Sequence, residues 1–281
     1  MNKNIIITGA TGFVGSNLVS TFLENDRVYS LGRAGSTKCE NVYWNLKDNL
    51  KNIILPCNID TIIHCAAIVG EDSYSKKEYI EVNLISTLEL LEYCKNTGIT
   101  QFVYISTGGV YGFGKSPFHE ADKPNPQGIY NLSKYFSEEL CNQYRDKLKI
   151  TVLRIFFPYG KGQKRRLISN LIDKIKRGEK ITLNNDGMPL INPIYVGDLC
   201  AIVKNVVYRR LQGTFNVCGN EILSIKELCE IISQKLQVEN VKFNFNGKEV
   251  QNILGKNEKI QQTLNNCINT KISEGIEKMI N

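Results

Sequence analysis

Ile5-Ile6-Ile7-Thr8-Gly9-Ala10-Thr11-Gly12-Phe13-Val14-Gly15-Ser16 stands at the start of the chain. An apolar run passes straight into Gly9-x-x-Gly12-x-x-Gly15 and then into a helical pattern. One glycine makes the tight turn, one lets backbone approach a pyrophosphate, and one lets the helix pack on the strand. The helix N-terminus adds unpaired N–H groups and the positive end of its dipole. The spacing predicts a dinucleotide site formed by Gly9, Thr11, Gly12, Phe13, Val14 and Gly15.

Downstream, apolar runs alternate with helical stretches. Strands are expected at Ile5–Thr8, Arg27–Leu31, Asn41–Trp44, Thr61–Cys65, Phe102–Ser106 and Thr151–Phe156. Helices are expected at Ser16–Asn25, Lys77–Thr97 and Ile129–Lys147. This alternation predicts an α/β fold, a doubly wound parallel sheet covered on both faces. After Arg154 the pattern loosens into helices at Leu167–Arg177, Val196–Tyr208 and Ser224–Leu236, with Ser224 and Glu227 spaced as a capping box. Short strands are expected at Lys180–Leu183 and Gly213–Val217. The expected division is residues 1–160 as the nucleotide-binding domain and 161–281 as a smaller lobe interleaved with the sheet.

Length and composition agree with one such body of 281 residues. A 42% hydrophobic content supplies a core, and 22% charged residues exclude wholesale disorder. The net charge of +7 is unclustered, which excludes a nucleic-acid face and suits anionic small ligands. Nine cysteines without C-x-x-C spacing read as reduced, cytosolic thiols. Two histidines are too few for a His-rich metal site, so no metal is expected. No apolar stretch is long enough to cross a membrane.

Two constellations carry chemistry. The second strand ends Leu31-Gly32-Arg33, with Gly32 where an NAD site normally places an acid for the ribose hydroxyls. Arg33 can pair with a 2′-phosphate and stack on adenine, which favours NADP(H) over NAD(H). Tyr130 and Lys134 stand four apart and so share one helical face. A buried cation beside a phenol stabilises the phenolate, letting Tyr130 exchange protons near neutrality. Thr107 or Ser106 follows a strand, where active sites of open parallel sheets form, and can hydrogen-bond a reacting oxygen.

Together these segments resemble the extended short-chain dehydrogenase/reductase superfamily, its epimerase/dehydratase group. Further matching pieces are Asp60-Thr61-Ile62-Ile63-His64-Cys65-Ala66-Ala67, Val82-Asn83, Val110-Tyr111-Gly112, Leu153-Arg154, Tyr159-Gly160-x-Gly162-Gln163 and Tyr195-Val196-x-Asp198. The resemblance implies a Rossmann-type domain with a small substrate-binding lobe. It implies Thr107 as the substrate-oxygen ligand, Tyr130 as acid/base and Lys134 as the grip on the nicotinamide ribose. Ala66 and Ala67 would line the cofactor channel, Asn83 would support its phosphates, and Asn45-Leu46 would flank adenine. His64 would be structural, beneath the cofactor, and His119 a loop residue. In the family the two long helices build a homodimer, for which Leu84, Leu91, Phe136 and Leu140 would supply apolar contacts.

The departures narrow the reading. Dehydratases of the group carry Asp-Glu after the Thr, where this chain has Gly108-Gly109, so dehydration is not expected. Phe157 replaces a substrate-touching Asn, and Pro189-Leu190-Ile191-Asn192-Pro193-Ile194 lacks the Arg that holds substrate phosphates. If the ligand is a nucleotide sugar, Lys164, Arg165 or Arg166 would have to supply that charge, beside Gly108 and Phe157 as substrate contacts. The expected function is keto-sugar reduction or C4 epimerisation on a nucleotide-linked sugar. The rival readings are an NADPH-dependent reductase of a non-nucleotide carbonyl compound and a non-catalytic NADP-binding sensor.

Overall fold

A computed structural model describes residues 2–70, 74–114, 116–248 and 250–281, the side chain at 186 excepted. In chain order its strands and helices are β1 (Asn4–Thr8), α1 (Phe13–Phe22), β2 (Arg27–Gly32), β3 (Glu40–Tyr43), β4 (Thr61–His64), α2 (Lys76–Tyr79), α3 (Ser86–Thr97), β5 (Gln101–Thr107), α4 (Gly128–Gln143) and β6 (Lys149–Ile155). They continue as α5 (Leu167–Lys176), β7 (Ile181–Leu183), β8 (Leu190–Ile191), α6 (Val196–Arg209), β9 (Gly213–Val217), β10 (Leu223–Ser224), α7 (Ile225–Leu236), β11 (Phe243–Phe245), α8 (Glu258–Leu264) and α9 (Ile272–Ile280). Seven strands form one sheet in the order β3-β2-β1-β4-β5-β6-β9. Neighbours from β3 to β5 pair in parallel, as Ile5 against both Val28 and Thr61 shows. Leaving β1 in the middle, with the chain winding outward to either side, makes this the doubly wound Rossmann arrangement.

The chain divides into two compact units, neither continuous in sequence. One comprises Met1–Gly112, Lys123–Arg154 and Cys200–Phe215; the other Phe113–Asp122, Ile155–Leu199 and Asn216–Asn281. Both units cross the division expected at 160, since 155–160 belong to the second and 200–215 to the first. Residues 200–215 are built into the first unit: Gln101 donates its amide to the Val206 carbonyl at 3.1 Å, Thr151 donates to the Leu211 carbonyl, and the Tyr208 hydroxyl donates to Asp26 at 2.7 Å.

The sheet's strands are apolar on both faces because both are covered. Ile6, Leu31, Trp44, Leu90, Leu91, Phe102, Tyr104 and Ile150 share one core of the first unit. Leu91 is wholly buried there, so it cannot serve an intermolecular contact; Phe136 on α4 is exposed, and Leu84 and Leu140 are half-buried. In the second unit, α5 turns Ile168, Leu171, Ile172 and Ile175 onto a core shared with α7 and α9. The Ser224/Glu227 capping box opens α7 as expected.

Three helices differ from expectation, and one of them, expected over Ile129–Lys147, is α4, which ends at Gln143. α1 begins at Phe13 rather than Ser16, because Gly12 takes the N-cap in extended conformation. The helix expected over Lys77–Thr97 starts one residue earlier and is interrupted by a wider π turn at Ile80–Ile85. Its capping box, Ser75 with Glu78, holds the start.

Candidate active site

The Gly9–Gly15 turn is closed by backbone. Gly9 has φ +66°, and a Cβ there would lie 2.8 Å from the Ala66 nitrogen. A Cβ on Gly15 would lie 2.1 Å from the Gly9 carbonyl oxygen, which already accepts the Gly12 N–H at 2.9 Å. No side chain caps α1, and no acidic residue stands in its first turn. An uncapped N-terminus with backbone on its approach fits a dinucleotide pyrophosphate, and a side chain at Gly9 or Gly15 would fill the cradle. Thr11 is exposed and Phe13 and Val14 are half-buried around it.

Beneath the turn runs a chain of hydrogen bonds. The Thr8 hydroxyl oxygen accepts the N–H groups of Cys65 at 3.2 Å and Ala66 at 3.1 Å. Its own proton goes to His64 Nδ1 at 2.7 Å. His64 Nε2–H then donates to the Thr87 hydroxyl at 3.2 Å, which donates to the Asn83 carbonyl at 2.7 Å. Burial, and next the Lys134 charge, hold the imidazole well below its ordinary pKa, so it stays neutral. His64 thus ties β1, β4 and α3 together as a structural residue.

Asn83 departs from its expected role. It is buried inside the π turn and spends its amide internally. Its oxygen accepts the Ile68 N–H at 2.9 Å, and its two N–H groups go to the Ile68 carbonyl at 3.2 Å and Ser133 at 3.0 Å. With both donors taken it has none left for a phosphate; it clamps the loop after Ala66-Ala67 to α4. Asn45 and Leu46 are half-buried, Ala66 is buried, and Ala67 half-buried. Arg33 is exposed, and no side chain among the described residues pairs with it.

The three catalytic candidates lie in the first unit, on β5 and α4, which pack against each other. Thr107 is half-buried and caps the turn Gly108–Tyr111, its oxygen accepting the Gly109 N–H at 3.1 Å. Tyr130 is half-buried beside Ile68, Tyr79 and Val82. Lys134 is buried, donates to the Ile105 carbonyl at 2.7 Å, and sits 4.0 Å over the Tyr104 ring. Burial pulls its pKa down from 10.5 to about 8. The folded-state value lies below the unfolded one, so the destabilisation is full below pH 8 and fades as pH rises toward the unfolded value. At ~1.4 kcal/mol per pKa unit, less ~1 kcal/mol for the lost carbonyl bond, Lys134→Met is expected to stabilise the fold by about 2 kcal/mol at pH 7. Denaturant titrations should show that gain at pH 7 and a smaller one at pH 10.

Next to Thr107, Gly108 is buried, and a Cβ on Gly109 would lie 2.2 Å from the Asn131 amide oxygen. The carboxylate pair of the dehydratases is therefore missing and its place occupied. In the second unit, Phe157 at φ +41° lines a cavity of about 580 Å³. A bulky residue in the left-handed region is strained and needs its surroundings to hold it. Arg165 and Arg166, expected to hold substrate charge, are exposed and do not line this cavity. Its cations are Lys174 and Arg177, at the end of α5, with Asn170 and Asp173 beside them. The 3.6-residue pattern of α5 marks these as the face opposite Ile168, Leu171 and Ile175 but does not say a cavity lies there. Ile191 and Ile253 form an aliphatic part of its lining.

His119 is exposed, with Nδ1 accepting the Ala121 N–H, as a loop residue should be. All nine cysteines are free thiols, and no cluster of metal-ligand side chains occurs among the described residues. No helix of the described residues is long and apolar enough to cross a membrane.

The signature of the NAD dependent epimerase/dehydratase family matches residues 5–218. The GDP-6-deoxy-D-talose 4-dehydrogenase of Aggregatibacter actinomycetemcomitans is 26% identical over 93% of this chain and 91% of its own length. The GDP-6-deoxy-D-mannose reductase of Pseudomonas aeruginosa is 27% identical, over 85% and 82%. The crystal structure of UDP-glucuronic acid 4-epimerase from Bacillus cereus, in complex with UDP-glucuronic acid and NAD, superposes with a TM-score of 0.83 at 25% identity. That likeness covers 98% of this chain and 97% of the epimerase.

Proposed function

Because the chain belongs to the NAD dependent epimerase/dehydratase family, we propose that it is an oxidoreductase of a nucleotide-linked sugar, working as a keto-sugar reductase or a C4 epimerase. The observation that carries this reading is the buried Lys134, four residues from Tyr130, on the helix packed against the strand that ends in Thr107. Tyr130 gives a proton to a ketone oxygen or takes one from an alcohol. The Lys134 ammonium stabilises the phenolate this leaves. Thr107 hydrogen-bonds the same substrate oxygen and fixes its orientation. A nicotinamide dinucleotide in the Gly9–Gly15 cradle supplies the hydride chemistry. Gly108-Gly109 offer no side chain for water elimination, which separates this chain from the group's dehydratases. A screen of nucleotide sugars and keto-sugars with both nicotinamide cofactors, read by absorbance and product NMR, tests the reading. Turnover of none of them defeats it.

Arg33 supports NADPH over NADH as the preferred cofactor. Its guanidinium is exposed, and among the described residues no side chain pairs with it, which suits a 2′-phosphate. A charge-assisted bond of ~1.5–3 kcal/mol corresponds to roughly ten- to hundredfold. Calorimetry should find tighter NADPH binding in the wild type and little difference between the cofactors in Arg33→Ala. Equal wild-type affinities count against the preference.

Taken by itself, the cavity of the second unit, with Lys174 and Arg177 in its lining, suits an anionic group such as a nucleotide's phosphates. Arg177 pairs with Glu179 at 3.5 Å, both exposed, and so weak a surface pair leaves the guanidinium free to change partner. Arg177→Ala is expected to raise KM at least ~10-fold, the loss of one charge-assisted contact, whereas Arg165→Ala and Arg166→Ala leave it unchanged. The aliphatic lining at Ile191 and Ile253 favours the second reading, a non-nucleotide carbonyl substrate, which gains ground if Arg177→Ala keeps its KM.

A further inference from the structure

Behind Thr107 lies a buried ion pair that the chemistry above does not use. Arg154 on β6 and Glu138 on α4 have side chains only 7% and 3% exposed. Arg154 Nε lies 3.0 Å and Nη2 2.6 Å from Glu138 Oε2. Burying two charges costs more than a well-packed apolar pair would, so the pair is weak evidence for stability as such. Its remaining bonds show where it acts. Ser106 donates to Glu138 Oε1, and Arg154 Nη1 donates to the Tyr111 hydroxyl at 2.8 Å. Ser106 immediately precedes Thr107, and Tyr111 ends the turn that Thr107 caps. Both anchors of the Thr107 turn are therefore fastened to one ion pair.

We propose that Glu138 and Arg154 are positioning residues: their buried pair holds the Thr107–Tyr111 turn in register with α4, and Glu138 supplies the negative charge that faces the Lys134 ammonium. The groups around Lys134 support the second part. The Tyr104 ring and the Ile105 carbonyl approach from β5, His64 and Cys65 from β4 and the residue after it, and Glu138 and Cys141 from α4 itself. Burial holds the His64 imidazole neutral, lifts the Cys65 thiol to about 12, and raises the Cys141 thiol and the Tyr104 phenol. Glu138, paired with the Arg154 guanidinium, is the one carboxylate among these groups. It lies one helical turn from Lys134, so both face the same way. This inference rests on the proposed roles of Thr107, Tyr130 and Lys134.

The test uses two variants. Glu138→Gln removes the charge but strands Arg154. Glu138→Gln/Arg154→Met removes both charges at similar volume, which buried pairs tolerate better. With 13C-labelled lysine, the Lys134 resonance, assigned through Lys134→Arg, should titrate roughly one pH unit lower than in the wild type. With the best substrate of the screen, kcat should fall ~10-fold or more, the cost of a misplaced reacting group, while KM changes less than ~2-fold. The alkaline limb of kcat should move to lower pH with the lysine. A merely structural pair would lower the melting temperature and leave the titration and the alkaline limb in place; that result overturns the proposal. If the wild type turns over nothing in the screen, the functional reading fails, and the lysine titration alone still decides this one.

Discussion

Tyr130→Phe is expected to bind its cofactor as tightly as the wild type and to lose at least ~10²-fold in kcat, the usual size of a general acid/base contribution. The ring packs against Ile68, Tyr79 and Val82, and phenylalanine keeps those contacts. What disappears is the hydroxyl, one turn from a buried ammonium. The pH dependence separates this role from a loss of structure. With Lys134 at about 8, the wild type should lose activity as pH rises through that value and the ammonium discharges. Tyr130→Phe should show low, flatter activity over the same range with an unchanged melting temperature. Turnover within a few-fold of the wild type would move proton transfer to another group.

Gly15→Ala should be strongly damaging for so small a change, a single methyl group. Its Cβ would stand 2.1 Å from the Gly9 carbonyl oxygen and 3.1 Å from the Ala10 Cα, and backbone cannot swing aside as a side chain does. Overpacking of this kind costs typically 1–3 kcal/mol and more where no rotamer relieves it. About 3 kcal/mol of lost stability, read from urea denaturation, is expected together with at least ~10²-fold weaker dinucleotide binding. Gly12→Ala supplies the contrast, its Cβ 3.2 Å from that oxygen and outside the helix packing, and should be much milder. Equal behaviour of the two variants would mean that α1 can shift on β1.

What could be read without coordinates was local. The glycine turn, Tyr130 with Lys134, and the Ser224/Glu227 cap are spacings within a few residues, and a few residues fix their geometry. The parallel pairing of the long strands followed from their alternation with helices. The partners of Asn83, Ile68 and Ser133, come from other segments, and no local pattern shows that both its donors are taken. Leu91 fits an apolar stripe that could face a neighbour or the core; only the packing of Leu90, Leu91 and Cys94 with Ile6 and Phe102 decides. Arg165 and Arg166 were expected from their place after Gly160-x-Gly162, but which cations line a cavity, here Lys174 and Arg177, depends on how the chain folds around it. The two-residue strands β8 and β10 are too short to carry any periodicity.

Residues 200–215 have a consequence for the order in which this protein is made. They complete the first unit after the chain has passed through 155–199, which belongs to the other. A nascent chain that has just released Arg154 holds most of the sheet but not the carbonyls of Val206 and Leu211 that receive Gln101 and Thr151. The flank of β6 where β9 will lie is still open. At roughly 5–20 residues per second, the ribosome leaves that edge bare for seconds. An unpaired, apolar strand edge is an aggregation template. This edge is therefore most exposed midway through synthesis, when chaperones at the ribosome have it to protect.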